Sequence, residues 1–232
     1  MAKTPKGSAK HQAIISAARD LFYRKGYEAT SFTDIADSAE LNRGNFYYYY
    51  RSKEEILADV VDSRAEELKQ TFRDVESEAS GGRDRLIKYL DRFGENREMR
   101  SLYGCAMGTL AMELAKGERP LVDLPLRLIT LTLDWLEAQF RHAPSLSHPR
   151  AYAIETLCRM QGVALMGAVL NQPELLDRQF GAIKDWIRHV FQETSRPARK
   201  SLARQGKAGS RPSPVVGSSP RERRIASSSK RS

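Results

Sequence analysis

Apolar side chains recur along this chain mainly at the three- to four-residue spacing of amphipathic α-helices. The first such segment starts near residue 10 and stops at Lys25-Gly26, where a basic last turn is followed by a glycine. A longer segment starts after Ser52 and keeps its apolar face to about Ser77, which predicts a rod of roughly 35–40 Å at about 1.5 Å per residue. The sequence shows no alternating strand pattern and no internal repeat. The pattern therefore predicts an all-α fold with about nine helices.

The last two predicted helices carry more apolar surface than the others. The segment 150–170 is apolar nearly all round and contains Cys158, so we expect it, with this cysteine, to be buried on several sides. The segment 174–192 follows after a short turn. Together they predict an antiparallel hairpin whose surplus apolar surface is covered by a second subunit, and hence a homodimer through these two helices. The remaining helices are predicted at about 10–25, 31–39, 43–50, 52–77, 86–93, 102–116 and 121–142.

Residues 31–53 have the pattern of two short helices joined by a tight turn. Ser31 with Asp34 three residues later resembles a capping box at the start of the first. The second places two sets of side chains on opposite sides: an inward set of Phe46, Tyr49 and Tyr50, and an outward set of Arg43, Asn45, Tyr47 and Tyr48. Arginine, asparagine and tyrosine are side chains that contact base edges and phosphates. The pattern predicts a DNA-binding helix-turn-helix, with a purely structural three-helix bundle as the alternative.

The formal net charge of +9 is unevenly distributed. Residues 196–232 sum to +10, whereas residues 1–195 sum to −1. Because residues 1–195 are nearly neutral, contacts from individual side chains, and not a basic surface, must select the DNA sequence. The basic tail leaves a non-specific nucleic-acid-binding protein as an alternative.

Several other classes of function find no support in the sequence. The two cysteines, Cys105 and Cys158, lack metal-ligand spacing, and we expect no metal and no cofactor. No nucleophile, phosphate-loop or paired-acid motif indicates an enzyme. Neither a run of about 18 apolar residues nor a signal peptide is recognisable, so we expect a cytoplasmic protein without a membrane partner.

Residues 10–60 resemble the N-terminal domain of the tetracycline-repressor (TetR) family of bacterial transcription regulators. The segments that carry the resemblance, in the family's order and spacing, are IISAARDLF at 14–22, KGYEATS at 25–31, DIA at 34–36, NRGNFYYYY at 42–50 and SKEEIL at 52–57. The resemblance implies a homodimeric, ligand-responsive regulator of double-stranded operator DNA, most simply a repressor released from a palindromic operator by an unknown small-molecule effector. It also implies the DNA-contacting residues, which are Thr33, Asn42, Arg43, Gly44, Asn45, Tyr47, Tyr48, Tyr49 and Lys53.

The segment from Tyr103 to Leu114 resembles a Gly-Cys segment in the sixth helix of one branch of this family, where that helix lines an effector pocket. Two interpretations of Cys105 stay open: a thiol sensor of electrophiles or oxidants, or a small side chain that lets helices pack closely. The candidate pocket residues are Tyr89, Phe93, Tyr103, Cys105, Met107, Trp135 and Met160, with ordinary core packing as the alternative.

Composition and the resemblance together give the predicted organisation of the chain. It comprises a flexible basic arm at 1–9, a helix-turn-helix DNA-binding domain at 10–53, a ligand-binding and dimerisation domain at 54–194, and a disordered basic tail at 195–232. An effector bound between the fifth and eighth predicted helices would shift the sixth and, through the rod, move the two DNA-binding domains out of register.

Overall fold

The computed structural model describes residues 5–116 and 119–195, and the regular structure of these residues is entirely helical. The prediction of an all-α fold is confirmed. The ten described helices are α1 (Pro5–Arg24), α2 (Phe32–Ser38), α3 (Arg43–Tyr49), α4 (Lys53–Glu78), α5 (Gly82–Gly94), α6 (Arg97–Tyr103), α7 (Ala106–Leu114), α8 (Arg119–Phe140), α9 (Pro149–Leu170) and α10 (Pro173–Ser195).

The predicted helix at 102–116 is wrong in its boundaries, because Gly104 interrupts the helical backbone. This glycine has φ +74° and ψ −152°, a backbone conformation that side chains other than glycine rarely adopt. Its N–H still bonds the carbonyl of Arg100 and closes the last turn of α6, and α7 then starts at Ala106. The break adds a short helix, α6, that apolar periodicity did not indicate.

The predicted flexible arm at 1–9 is wrong for residues 5–9, which belong to α1. Pro5 suits the first turn of a helix, since a proline there gives up no hydrogen bond that the helix needs. Residues 1–4 lie outside the described residues. The same holds for the predicted disordered tail, apart from Ser195, which ends α10.

Helix α4 connects two hydrophobic cores. Near its start, Ile56 packs in a cluster with residues of α1, α2 and α3. Near its end, Phe72 and Val75 pack in a cluster with residues of α5, α8, α9 and α10. We call α1 to α3 the head and α5 to α10 the body. Leu68 of α4 packs against both clusters, so the apolar interior continues along the rod from head to body.

Helix α9 is long and apolar enough to cross a membrane by length and composition alone, although Glu155 and Arg159 interrupt its apolar residues. A helix that packs inside a protein meets the same criterion, and α9 contacts α6, α8 and α10. One face of α9 buries residues such as Met160. Its other side exposes five large apolar side chains: Ile154, Leu165, Met166, Val169 and Leu170. Cys158 is also exposed, so its predicted burial is wrong for the single chain.

Candidate nucleic-acid interface

The start of α2 is fixed by the capping box that the sequence predicts. The Asp34 N–H donates to the Ser31 hydroxyl at 3.0 Å, and the Ser31 N–H donates to the Asp34 carboxylate at 2.8 Å. Lys25 adds an ion pair to the same carboxylate at 2.6 Å. The hydrogen bond from Lys25, supported by those from Ser31, lowers the pKa of Asp34 to about 2. This network sets the angle at which α2 leaves the end of α1.

A left-handed residue, Glu40, makes the turn from α2 to α3. Its φ is +55°, and its N–H donates to the carbonyl of Asp37 at 3.1 Å. The next N–H, that of Leu41, reaches back to the carbonyl of Ala36 at 3.0 Å. These two bonds are those of a Schellman motif, in which glycine is the usual left-handed residue. The turn is therefore well formed although a glutamate occupies the strained position.

The inward side of α3 is anchored by aromatic side chains. Phe46 is buried and meets Phe32 of α2 edge to face, with ring centroids 4.7 Å apart. Tyr50 is also buried, and its hydroxyl donates to the Asp59 carboxylate of α4 at 2.7 Å. The same hydroxyl lies 2.7 Å from Nε2 of His11 in α1. The chain at the C-terminal end of α3 is thus bound to both α1 and α4.

The outward side of α3 faces solvent. Tyr47 is 62% exposed and Tyr48 is 85% exposed, which is unusual for side chains of this size. Arg43 and Asn45 lie in the first turn of α3, but their side chains fall outside the described part of the chain. Gly44 is exposed, and among the described residues a Cβ atom placed on it would meet only Oδ1 of Asn42, at 3.9 Å. Packing within the protein therefore does not require a glycine at this position.

Three further predicted contact residues surround this surface. Thr33 is half-buried in the first turn of α2, and Asn42 is exposed just before α3. Tyr49 is half-buried, with its ring edge to face against Tyr48 at 5.3 Å. The structure places these residues at or beside α3, and their contacts with DNA stay predictions.

Lys53 has a structural role that the sequence did not indicate. Its ammonium donates to the carbonyls of Tyr27 at 2.8 Å and Thr30 at 3.1 Å, and lies 4.2 Å from the centre of the Tyr27 ring. It therefore holds the connector between α1 and α2. An ammonium has three N–H donors, so the predicted phosphate contact is compatible with these two bonds.

Comparison with known proteins places this geometry in a family. The family model described as "Bacterial regulatory proteins, tetR family" matches residues 14–60. An HTH-type transcriptional repressor of Mycobacterium tuberculosis is 32% identical over 134 residues, which cover 55% of this chain and 69% of that protein. This chain belongs to the TetR family.

The TetR-family likeness extends over most of the chain. An uncharacterised HTH-type transcriptional regulator from the lacX 3′ region of Lactococcus lactis is 28% identical over 179 residues, covering 75% of this chain and 90% of that protein. The crystal structure of a TetR-family regulator from Streptomyces coelicolor covers 82% of this chain and 97% of its own at a TM-score of 0.71 and 15% identity. One from Chloroflexus aurantiacus covers 80% and 97% at a TM-score of 0.71 and 21% identity. Both structures show the same fold.

As a TetR-family member, the chain is a ligand-responsive, sequence-specific DNA-binding transcriptional regulator. Its family and fold are those of regulators and not of enzymes. Neither alternative, a non-specific nucleic-acid-binding protein or a thiol sensor acting through Cys105, is favoured by these relatives.

The predicted effector residues of this TetR-family chain fall into two groups. Tyr89, Trp135 and Met160 are buried in the body, where Trp135 stacks on Phe72 with ring centroids 4.6 Å apart. The indole Nε1 of Trp135 also donates to Glu76 at 2.8 Å. In this structure these three side chains have the packing role that the alternative interpretation gives them, and their contact with an effector stays a prediction.

The second group surrounds the α6–α7 corner. Phe93 lies under the guanidinium of Arg100, and Tyr103 lies 5.6 Å from the ring of Tyr23 in α1. Cys105 is buried, and Nε2 of Gln161 donates to its sulfur at 3.4 Å.

Met107 of the same corner lines a cavity of about 40 Å³ between α1, α4, α7 and α8. Tyr23 and Arg64 also line this cavity, and the sequence did not indicate them. Both lie among polar residues of their helices, so no apolar pattern marks them as cavity residues. Among the described residues, no group of three His, Cys, Asp or Glu side chains could hold a metal ion.

Proposed function

We propose that the chain is a homodimeric repressor whose two α3 helices enter successive major grooves of a palindromic operator. The observation that carries the proposal is the two-sided α3, which buries Phe46 and presents Tyr47 and Tyr48 to solvent. Two such helices related by a two-fold axis meet half-sites about 34–36 Å apart, or a multiple of that distance. Localisation to the cytoplasm, where bacterial operators are found, follows from this role.

The proposed contacts divide by chemistry. Arg43 and Asn45 would read base edges, since their side chains form paired hydrogen bonds with guanine and adenine. Tyr47, Tyr48 and Lys53 would hold phosphates or contact thymine methyl groups. Thr33, Asn42 and Tyr49 flank these contacts, and Gly44 lets the helix backbone come close to the DNA.

The exposed face of α9 supports the proposed dimer. Leu165 is 61% exposed and Val169 is 69% exposed in the single chain. Beside them, Met166 and Leu170 line a mainly apolar groove together with Leu175 of α10. Apolar surface of this kind on a soluble protein is typical of an interface. Pairing of the α9–α10 hairpins would cover it and fix the distance between the two heads.

We further propose that a small-molecule effector bound between α5 and α9 releases the operator. Its binding would shift α6 and α7, which contact the head, and would move the head through α4. The effector must bind the DNA-free conformation more tightly than the DNA-bound one, since a ligand with equal affinity for both shifts nothing.

Selection of bound genomic fragments by the full-length protein tests the proposal. We expect a small set of fragments that share an inverted repeat, and the genes beside them would point to the effector. Recovery of fragments without a shared motif, with random DNA competing as well as any fragment, would show non-specific binding and contradict the proposal.

A further inference from the structure

Arg100 is a half-buried guanidinium in the last turn of α6. Its Nε donates to the carbonyl of Phe93 at 2.7 Å, and its Cζ lies 3.5 Å from the centre of the Phe93 ring. Within residues 5–116 and 119–195, no carboxylate forms an ion pair with it. The described part of the chain thus keeps a half-buried cation against an aromatic ring without supplying the anion.

The two phenols around Arg100 do not supply a negative charge at neutral pH. The side chains that act on it electrostatically include Cys105, Tyr23, Tyr89 and a second cation, Arg64. Burial raises the pKa of Tyr23, and it raises that of Tyr89 to about 12, so both are neutral phenols. Burial also lowers the pKa of Arg100, which indicates that water solvates this guanidinium poorly.

A poorly solvated charge is costly unless an opposite charge or hydrogen bonds compensate for it. A bound carboxylate would do so, because its two oxygens match the paired N–H donors of a guanidinium. Of these donors, Nε is directed to the Phe93 carbonyl, which leaves the two terminal nitrogens for an anion.

An apolar cavity shares two of its lining residues with the surroundings of Arg100. Tyr23 and Arg64, two neighbours of Arg100, line the cavity of about 40 Å³, whose other walls include Val60, Met107 and Leu128. A cavity of this size holds little more than a water molecule or two. An organic ligand could enter only if α7 moved relative to α1 and α4, so binding would favour a conformation different from this one.

We propose that the effector is a small organic acid whose carboxylate pairs with Arg100 and whose apolar body enters the space between α1, α4 and α7. This inference rests on the proposed function, since it names the chemical class of the ligand that releases the DNA, and it places that ligand between α1, α4 and α7 instead of between α5 and α9.

The position of Arg100 also gives such a ligand a route to the head. The hydroxyl of Tyr23 in α1 lies 2.7 Å from the carbonyl oxygen of Gly104 and 3.2 Å from that of Met99. These two carbonyls flank Arg100 in the chain. An anion that displaces Arg100 would therefore move the carbonyls that hold α1, with Tyr23 as the positioning residue.

A test uses the full-length protein, first shown to bind its selected operator without ligand. Benzoate and its neutral isostere benzamide are then compared for binding by calorimetry and for release of operator DNA. We expect benzoate alone to bind and to release the operator. Arg100→Gln should weaken benzoate binding about tenfold or more, the effect of losing one charge-assisted hydrogen-bonded pair. Arg100→Lys, which keeps the charge, should retain part of the affinity.

Arg92→Gln is the matched control, because Arg92 is a neighbouring arginine that already pairs with Glu78. It should bind benzoate as the unmodified protein does. Tyr23→Phe should lose part of the operator release, because it removes the hydroxyl that bonds the carbonyls of Met99 and Gly104.

Four results would overturn the inference: equal binding of benzoate and benzamide, binding of neither, equal action of inorganic phosphate, or unchanged benzoate affinity in a folded Arg100→Gln variant. Absence of operator binding in the ligand-free protein would instead contradict the proposed function.

Discussion

At the scale of single residues, the surface of α3 separates side chains that hold the fold from those available to DNA. Phe46 and Tyr50 are buried, whereas Tyr47 and Tyr48 between them are exposed. The predicted inward and outward sides of α3 are confirmed for these four residues, because a helical period of 3.6 determines which side chains share a face.

Gly44 offers a test in which stability and DNA binding change in different directions. We expect Gly44→Ala to leave the melting temperature unchanged or slightly raised, since alanine favours a helix by about 0.5–1 kcal/mol over glycine and finds open space here. Operator affinity should fall by about 1–3 kcal/mol, because the added methyl group separates the helix from the DNA backbone. Thermal melting and a binding titration measure the two effects.

The matched control is Gly94→Ala, at a glycine of α5 that also has open space around it. It should change neither operator affinity nor specificity. Wild-type affinity in Gly44→Ala would show that α3 does not approach the DNA at this position.

Other features at this scale could not be predicted. Glu40 adopts the left-handed conformation that favours glycine, because the two helices that it joins pack on a common core and impose the turn. The bonds of Lys53 to backbone carbonyls depend on a connector more than twenty residues away in the chain. Neither the conformation of Glu40 nor the hydrogen bonds of Lys53 can be predicted from the residues next to them in the sequence.

At the scale of helices, a carboxylate of the body holds the connector between α1 and α2. Glu113 of α7 accepts the N–H of Tyr27 at 3.0 Å and that of Glu28 at 2.9 Å. Successive backbone N–H groups of this kind form a concave site for an anion, which α7 fills with its own side chain. The contact fixes where the head sits on α7.

We expect Glu113→Gln to weaken this attachment, since the amide has no negative charge and only one acceptor oxygen. The free energy of unfolding should fall by about 1 kcal/mol, and the amide protons of Tyr27 and Glu28 should exchange faster with solvent. Chemical denaturation and hydrogen exchange measure the change.

Glu66→Gln serves as the control, because the ion pair of Glu66 in the described part of the chain is with Lys69, on the surface of α4. That variant should leave the exchange rates of the Tyr27 and Glu28 amide protons unchanged. If the amide protons of Tyr27 and Glu28 exchange in Glu113→Gln as fast as in the unmodified protein, other contacts hold the connector between α1 and α2.

The helices differ in how well the sequence predicts them, and the difference has a physical reason. Helices with a long apolar stripe, such as α4 and α10, were predicted because burial of one face is what stabilises them. Helix α6 has seven residues and only one that is buried, Ser101, so no periodic signal marks it. The attachment by Glu113 joins residues 86 positions apart and arises only in the folded chain.

At the scale of the whole molecule, the proposed dimer depends on the exposed face of α9. We expect Val169→Glu to give a folded monomer, since a charge in an apolar interface is left without a partner. Light scattering should then report half the mass, with unchanged helical content. Operator binding should weaken strongly because the two half-sites can no longer be bound together.

Met112→Glu places the same charge on an equally exposed apolar residue outside the hairpin, at 62% exposure. It should remain a dimer. A dimeric Val169→Glu variant would contradict the proposed α9–α10 interface.

The length of α4 converts small movements in the body into large ones at the DNA. Its 26 residues give a lever of about 39 Å. Phe72 lies about 28 Å from Lys53 along this helix, so a rotation of about 5° near Phe72 would carry the end at Lys53 by about 2.5 Å. In a two-fold dimer both heads move, so their separation would change by about 5 Å. A shift of that size is a substantial part of a major groove about 12 Å wide, so a ligand need only tilt this helix slightly to misalign the two recognition helices.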